Sequence, residues 1–275
     1  MILIIGIDGL LGNYLYKFLK NHFKVIGTSR KNLGKNIFSF DILNPISDLK
    51  IEWAKVDYVI ITAACSNVDF CELNPNYSKK VNFEATSKII SELKIKKIPV
   101  ILFSSEYVFN GGKGNYSEIS TKCPNTNYGI QKKNLELYVK STYKKSTIFR
   151  ISKIASLNHE RSFLFKMKKE MINNQIYYSA IDQFFTPINL EDCGIIILNT
   201  IKDNKYGLFN LCGNKNYSRY DLALILKKNF NLKTQLKKCS ISEINLTYKV
   251  PPNLTMNCDK MKKKFNFIPS ELKLI

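Results

Sequence analysis

The chain has 275 residues, 45% of them hydrophobic, and its 42 lysines and arginines against 22 acidic residues give a formal net charge of +20. That length suits one nucleotide-fold domain plus a smaller lobe, and no run is long and apolar enough to cross a bilayer, so no membrane insertion is expected. The basic clusters at 94–97, 166–169 and 260–264 read as solvated helix faces without an aromatic-basic motif or zinc finger beside them, so nucleic acid is not an expected partner.

The first run, Met1 to Ile5, lacks a basic leader and a small-residue cleavage site, and reads as a strand of a cytoplasmic protein rather than a signal peptide. Strands are predicted at residues 2–6, 23–28, 37–40, 58–62, 100–104 and 146–151, with helices near 10–21, 75–93 and 127–140 between them. The strand runs are continuously apolar rather than alternating. This predicts a parallel sheet covered on both faces, a Rossmann-type doubly wound α/β fold with right-handed crossovers. Ligands are then expected beyond the carboxyl ends of the strands. After residue 151 the rhythm loosens, with helices predicted at 163–171 and 218–229. The expected division is a dinucleotide-binding domain over 1–155 and a smaller C-terminal substrate-binding lobe over 156–275, with segments near 183–213 as candidates to return to the core.

Gly6, Gly9 and Gly12 follow the first strand and open the first helix, with Leu10 and Leu11 inside the same turn. The first glycine permits a tight turn, the second lets backbone approach a pyrophosphate, and the third lets helix pack closely on strand. The end of the second strand, Thr28-Ser29-Arg30, carries no acid for a ribose hydroxyl. Ser29 and Arg30 can instead hold a 2′-phosphate, which predicts NADPH over NADH, with NADH possible. Asp41 and Ile42, after the third strand, are placed at the edge of the adenine pocket.

Tyr128 and Lys132 are four residues apart and share a helix face. A nearby ammonium and an oxidised nicotinamide would lower the phenol's pKa and make Tyr128 a better proton donor near neutral pH. Lys132 can also bond the nicotinamide ribose. Ser105, at the end of the fifth strand, can polarise a carbonyl as oxyanion character builds. The seven scattered cysteines form no CxxC pair, and His22 and His159 are far apart, so no disulfide framework, metal site or histidine triad is expected.

With Gly6 to Gly12, Ala63-Ala64-Cys65-Ser66-Asn67-Val68-Asp69, Ser104-Ser105-Glu106-Tyr107-Val108-Phe109-Asn110-Gly111, Tyr116-Ser117-Glu118, Tyr128-Gly129, Lys132, Glu136 and Arg150, the chain resembles the extended short-chain dehydrogenase/reductase superfamily. More narrowly it resembles the dTDP-4-dehydrorhamnose reductase-like family. The likeness runs on through Asp182-Gln183, Thr186-Pro187 and the stretch from Gly207 to Gly213. It implies a Ser105, Tyr128 and Lys132 triad, with Thr62, Ala63 and Ala64 lining the cofactor beside Gly9. It also implies that Asn82 braces the site from its helix, within the cofactor-binding set.

The implied activity is NADPH-dependent reduction of the 4-keto group of a nucleotide-activated deoxysugar, in nucleotide-sugar and surface polysaccharide biosynthesis. The implied partners are the nucleotide-sugar substrate and, for some relatives, a second copy in a homodimer. A nucleotide-sugar epimerase or dehydratase of the same superfamily is an alternative, as is a non-catalytic NADP-binding regulatory subunit like those of methionine adenosyltransferase. The chain departs from the family at Ser152-Lys153, where an aromatic residue is common, and at Gln131, where a small one is frequent. It departs again at Val250-Pro251-Pro252-Asn253, where an arginine before a proline is missing. Glu106 follows Ser105 alone, without the acidic pair of a dehydratase, and reads as structural.

Overall fold

The computed structural model describes residues 1–31, 34–244 and 248–274. The first half runs β1 (Ile2–Ile5), α1 (Leu10–Leu19), β2 (Val25–Ser29), β3 (Ile37–Ser39), β4 (Tyr58–Ile61), α2 (Val68–Leu73) and α3 (Pro75–Lys79). A π-helical segment, Lys80–Ala85, leads into α4 (Thr86–Ile95), then β5 (Val100–Ser105), α5 (Asn127–Thr142) and β6 (Ser146–Ile151). The second half runs β7 (Ile154–Ala155), α6 (Phe163–Asn173), β8 (Ile176–Ala180), β9 (Phe184–Phe185), β10 (Ile188–Asn189), α7 (Leu190–Lys202) and β11 (Gly207–Leu211). It ends with β12 (Tyr217–Ser218), α8 (Arg219–Asn229), β13 (Gln235–Cys239) and α9 (Asp259–Phe265).

Seven of these strands form one parallel sheet in the order β11-β6-β5-β4-β1-β2-β3. The chain walks outward from β1 to β3, then steps back across β1 to start β4. The crevice between the carboxyl ends of β1 and β4 is therefore the topological switch point, where a doubly wound sheet takes its ligand. Every residue of β1 is buried, because helices cover both faces. Ile2 and Ile4 join Leu11, Leu15 and Leu19 of α1 with Cys193, Ile196 and Ile197 of α7. Leu3 and Ile5 join Ile89, Ile90 and Leu93 of α4 with Leu135 and Val139 of α5.

The helical pattern predicted over 75–93 is one path broken into three. Pro75 starts α3 at its first position, and the backbone widens to π geometry over Lys80–Ala85 before α4 resumes. Beyond residue 151, β11 pairs with β6 from Gly207 opposite Thr147 to Leu211 opposite Ile151, and α7 packs on α1. Residues 190–211 are thus built into the sheet and its covering layer. A separate small core of Leu164, Met167, Met171, Tyr177, Phe185, Leu222 and Leu226 holds α6 and α8 against β8 and β13. Phe163 and Lys166 of α6 line one cavity with Ile61, Ser105 and Ile151 from the carboxyl ends of β4, β5 and β6.

Candidate active site

Gly6 ends β1 with φ of +97°, and a Cβ there would meet the backbone of Ala63 at 2.6 Å. A Cβ on Gly12 would sit 2.2 Å from the Gly6 carbonyl oxygen and 2.6 Å from Thr62 Oγ1. Thr62 closes this turn by donating to the carbonyls of Ile5 at 3.0 Å and Gly6 at 2.8 Å. Gly9 differs: a Cβ there meets only the Gly6 oxygen, at 3.9 Å, so the fold itself does not require a glycine. Gly9 caps α1 with no side-chain hydrogen bond, which leaves the first-turn N–H groups and the positive end of the helix facing the crevice. That is the geometry a pyrophosphate needs.

Two cavities meet at this turn. One of about 160 Å³ is lined by Gly6, Gly9, Ser29, Arg30, Asp41, Ile42, Thr62, Ala63 and Ala64. The larger, about 700 Å³, takes in Gly9, Leu10, Leu11, Gly12, Thr62, Ala63, Ala64, Ser105, Tyr128 and Lys132. Every residue expected at the cofactor or the chemistry lies on one of these walls except Asn82. That side chain stands behind the wall. Its Oδ1 accepts from Cys65 N at 2.8 Å, and its Nδ2 donates to Cys65 O at 2.9 Å and to Gln131 Oε1 at 2.8 Å. Gln131, one of the departures from the family pattern, also donates to Ser78 Oγ at 2.8 Å. Together they pin the 62–67 loop to the π segment and to α5.

The smaller cavity holds a residue that strand-end reasoning overlooks. Asp8, inside the glycine turn, accepts from Ser29 Oγ at 2.8 Å and from Arg30 N at 3.3 Å. A carboxylate therefore stands at the end of β2 although β2 itself carries none. Arg161, from the segment just before α6, donates to the Asp8 carbonyl oxygen at 2.9 Å and lines both cavities. Nothing local in the sequence marks Arg161, because it reaches the crevice from 153 residues away.

Ser105, Tyr128 and Lys132 converge on the larger cavity from the end of β5 and the start of α5. Thr126 caps α5 by accepting from Gly129 N at 3.1 Å, and Gly129 lets the helix press against the Tyr107 carbonyl. Ser105 Oγ accepts from Tyr107 N at 3.3 Å and lies on the same cavity wall as the Tyr128 phenol. Lys132 Nζ donates to the Phe103 carbonyl at 2.9 Å and lies 5.7 Å from the Tyr128 ring centroid. Burial pushes the Lys132 ammonium down to about 8, although the Cys71 and Cys65 thiols and Glu136 favour its charge.

In the protein alone the Tyr128 phenol is shifted upward. Burial pushes it well up, the Glu106 carboxylate pushes the same way, and the Ser105 hydroxyl opposes them. The cause is the depth of the ring: desolvation outweighs any help from Lys132. For a reduction the result is useful, since the phenol keeps its proton at neutral pH and can give it up.

Beneath the triad, Glu136 accepts from Arg150, Ser104 and Lys122. Beyond it, Glu106, Ser152, Lys153 and Ser162 line the same cavity on the side of α6. Burial pushes the Glu106 carboxyl up to about 7, with Lys153 pulling the other way.

A switch-point crevice, an uncapped helix N-terminus behind a glycine turn, and a Ser, Tyr and Lys set beside it define a dinucleotide-fold protein of the short-chain dehydrogenase/reductase type. The chain belongs to the RmlD substrate binding domain family, whose model matches residues 1–274. It is 24% identical over 276 residues to methionine adenosyltransferase 2 subunit beta of Xenopus laevis, covering 95% of this chain and 81% of that protein. It is 27% identical over 224 residues to dTDP-4-dehydrorhamnose reductase of Sinorhizobium fredii, covering 77% of this chain and 75% of that one. In fold it is similar to the dTDP-4-dehydrorhamnose reductase of Bacillus anthracis solved in complex with NADP. That likeness has a TM-score of 0.87 and 20% identity, over 98% of this chain and 94% of that one.

Proposed function

We propose that this chain is an NADPH-dependent reductase of the 4-keto group of a nucleotide-activated deoxysugar, acting in nucleotide-sugar and surface polysaccharide biosynthesis in the cytoplasm. The observation that carries the reading is the meeting of Ser105, Tyr128 and Lys132 on one wall of a cavity that continues into the glycine turn. The residues fit a dinucleotide. Gly9 leaves room above the α1 N-terminus, Thr62 to Ala64 form the opposite wall, and Arg30 and Arg161 offer cations at the far end. A reduced nicotinamide bound there supplies the hydride.

The chain's own residues then divide the remaining work. Ser105 Oγ, fixed at the β5 end, hydrogen-bonds the substrate oxygen and stabilises the charge that builds on it. Tyr128, protonated at neutral pH, gives its proton to that oxygen. Lys132, a buried ammonium one helical turn on, holds the ribose and offers a positive charge to the phenolate left behind. Asn82 and Gln131 position the loop that carries Ala63 and Ala64.

The test is NADPH oxidation, followed by absorbance, against a panel of dTDP-, GDP- and UDP-linked 4-keto-6-deoxysugars. Turnover with any member supports the reading. A second reading, a non-catalytic NADP-binding regulatory subunit, is favoured by the likeness to the methionine adenosyltransferase subunit across 95% of the chain. Tyr128→Phe separates the two. In a reductase it keeps NADPH binding and loses turnover by at least a hundredfold; tight NADPH binding with no turnover across the panel in the parent protein favours the subunit.

A further inference from the structure

The two cavities share five wall residues among those described: Gly9, Thr62, Ala63, Ala64 and Arg161. The first four are small and uncharged, so Arg161 is the cation at the junction. A dinucleotide reaching from the smaller cavity into the larger one has its pyrophosphate, the link between its two nucleosides, at that junction. Arg161 is exposed, and a turn before α6 fixes its backbone. Its backbone N–H donates to His159 Nδ1 at 3.2 Å, and Ser162 N donates to the His159 carbonyl at 2.9 Å. Its guanidinium makes one hydrogen bond among the described residues, from Nη1 to the Asp8 carbonyl oxygen at 2.9 Å. That acceptor is neutral, so the bond leaves the guanidinium its charge and four of its five N–H donors. The Asp8 carboxylate is turned instead to the end of β2, where it accepts from Ser29 Oγ and Arg30 N. The same bond sets the guanidinium one peptide from Gly9, where α1 begins with no side-chain cap and no acid in its first turn. A cation and a helix N-terminus thus stand side by side where the two cavities join, and both favour an anion.

Resting on the dinucleotide part of the reading above, we propose that Arg161 is a clamp for the pyrophosphate of the bound cofactor. Nη1 keeps its hold on the Asp8 carbonyl, and the remaining N–H groups bond phosphate oxygens, a planar fork on a matching anion. The pyrophosphate is common to NADP and NAD. The clamp therefore adds affinity for both and leaves the choice between them to Arg30 and Asp8. The glycine turn is one half of the grip. The other half comes from a residue 153 positions after Asp8, which closes on the turn from the segment that leads into α6.

The experiment titrates NADP⁺ into the parent, Arg161→Met and Arg161→Lys. It then records the phosphorus NMR spectrum of each saturated complex, in which the 2′-phosphate and the pyrophosphate give separate signals. Arg161→Met should weaken NADP⁺ by about tenfold or more, the size of one charge-assisted bond. Arg161→Lys keeps the charge without the fork and should recover part of that loss. The pyrophosphate signals should move between the parent and Arg161→Met while the 2′-phosphate signal stays in place. Melting temperatures without cofactor should match the parent, since the side chain is exposed, and show the fold intact. A loss in Arg161→Met smaller than about threefold, or a shift confined to the 2′-phosphate signal, overturns the clamp and leaves the dinucleotide reading standing. A parent that does not bind NADP⁺ overturns both.

Discussion

The Arg150 guanidinium grips the Glu136 carboxylate through two bonds, Nε to Oε1 and Nη2 to Oε2, each 2.8 Å long, with both side chains 1% exposed. Glu136 lies one turn after Lys132 on α5, Arg150 lies next to the end of β6, and Ser104 adds a bond to Glu136 at 2.6 Å from beside Ser105. The pair ties the helix that carries Tyr128 and Lys132 to β6, and the Ser104 bond ties the same helix to the strand that carries Ser105. Arg150 and the hydrogen bonds to Ser104 hold the Glu136 carboxyl below the usual carboxylate range against its own burial.

Arg150→Met should therefore be much worse than an ordinary core substitution. It leaves a buried carboxylate with Lys122 and the more distant Lys132 to balance it, a loss of about 3–5 kcal/mol. Adding Glu136→Gln removes the stranded charge and should recover part of that loss. Urea unfolding of the parent and both variants checks this, and a single variant within about 1 kcal/mol of the parent would remove the pair from the account of how α5 is held.

Gly9 and Gly12 should respond in opposite ways to the same methyl group. Gly12→Ala places Cβ against the Gly6 carbonyl and Thr62, so the α1 entry must shift and the melting temperature should fall by several degrees. Gly9→Ala meets no protein atom closer than 3.9 Å, so its melting temperature without cofactor should match the parent. Its methyl instead stands where a pyrophosphate would approach the helix N-terminus, and NADPH affinity should drop at least tenfold. A thermal melt and a fluorescence titration of NADPH on the same two proteins decide it.

Local pattern carried the sheet well. Continuously apolar strands and a glycine turn at the first crossover pointed to the doubly wound sheet, and the four-residue spacing of Tyr128 and Lys132 put both on one helix face. Long-range geometry was invisible. The single helical pattern over 75–93 hides the π segment at Asn82, because the bonds from Asn82 to Cys65 and Gln131 are tertiary. Gln131 reads in the sequence as a departure, and in the structure it is the partner Asn82 needs. The depth to which the Tyr128 phenol is buried, which raises its pKa in the protein alone, is a property of the whole cavity and has no local signal in the sequence.

In the proposed reading, cofactor preference turns on Arg30 and Asp8, which both line the smaller cavity. A charge-assisted bond from Arg30 to a 2′-phosphate would be worth about 1.5–3 kcal/mol. Arg30→Ala should raise the Michaelis constant for NADPH by about tenfold or more while leaving NADH within about twofold. Asp8→Asn should act the other way, because it removes a carboxylate that repels the 2′-phosphate and can bond a ribose hydroxyl. Steady-state kinetics with both cofactors tests the pair. If Arg30→Ala weakens NADH as much as NADPH, Arg30 contacts something common to both.

Lys132 predicts opposite pH trends for activity and for stability in one window. Its ammonium, held at about 8 by burial, is lost as pH rises through 8, so turnover should fall about tenfold per unit above that point. The folded pKa lies below the ordinary lysine value, so the unfolded chain binds more protons between about 8 and 10.5. The contribution of Lys132 to stability is therefore full above 10.5 and lost as pH falls through 8, which makes it rise with pH where activity declines. Lys132→Met removes this slope, so the difference in unfolding free energy between parent and variant should change in the parent's favour from pH 7.5 to pH 9.5. A loss of activity that tracked a loss of folded protein over the same range would assign the alkaline limb to unfolding instead of to this lysine.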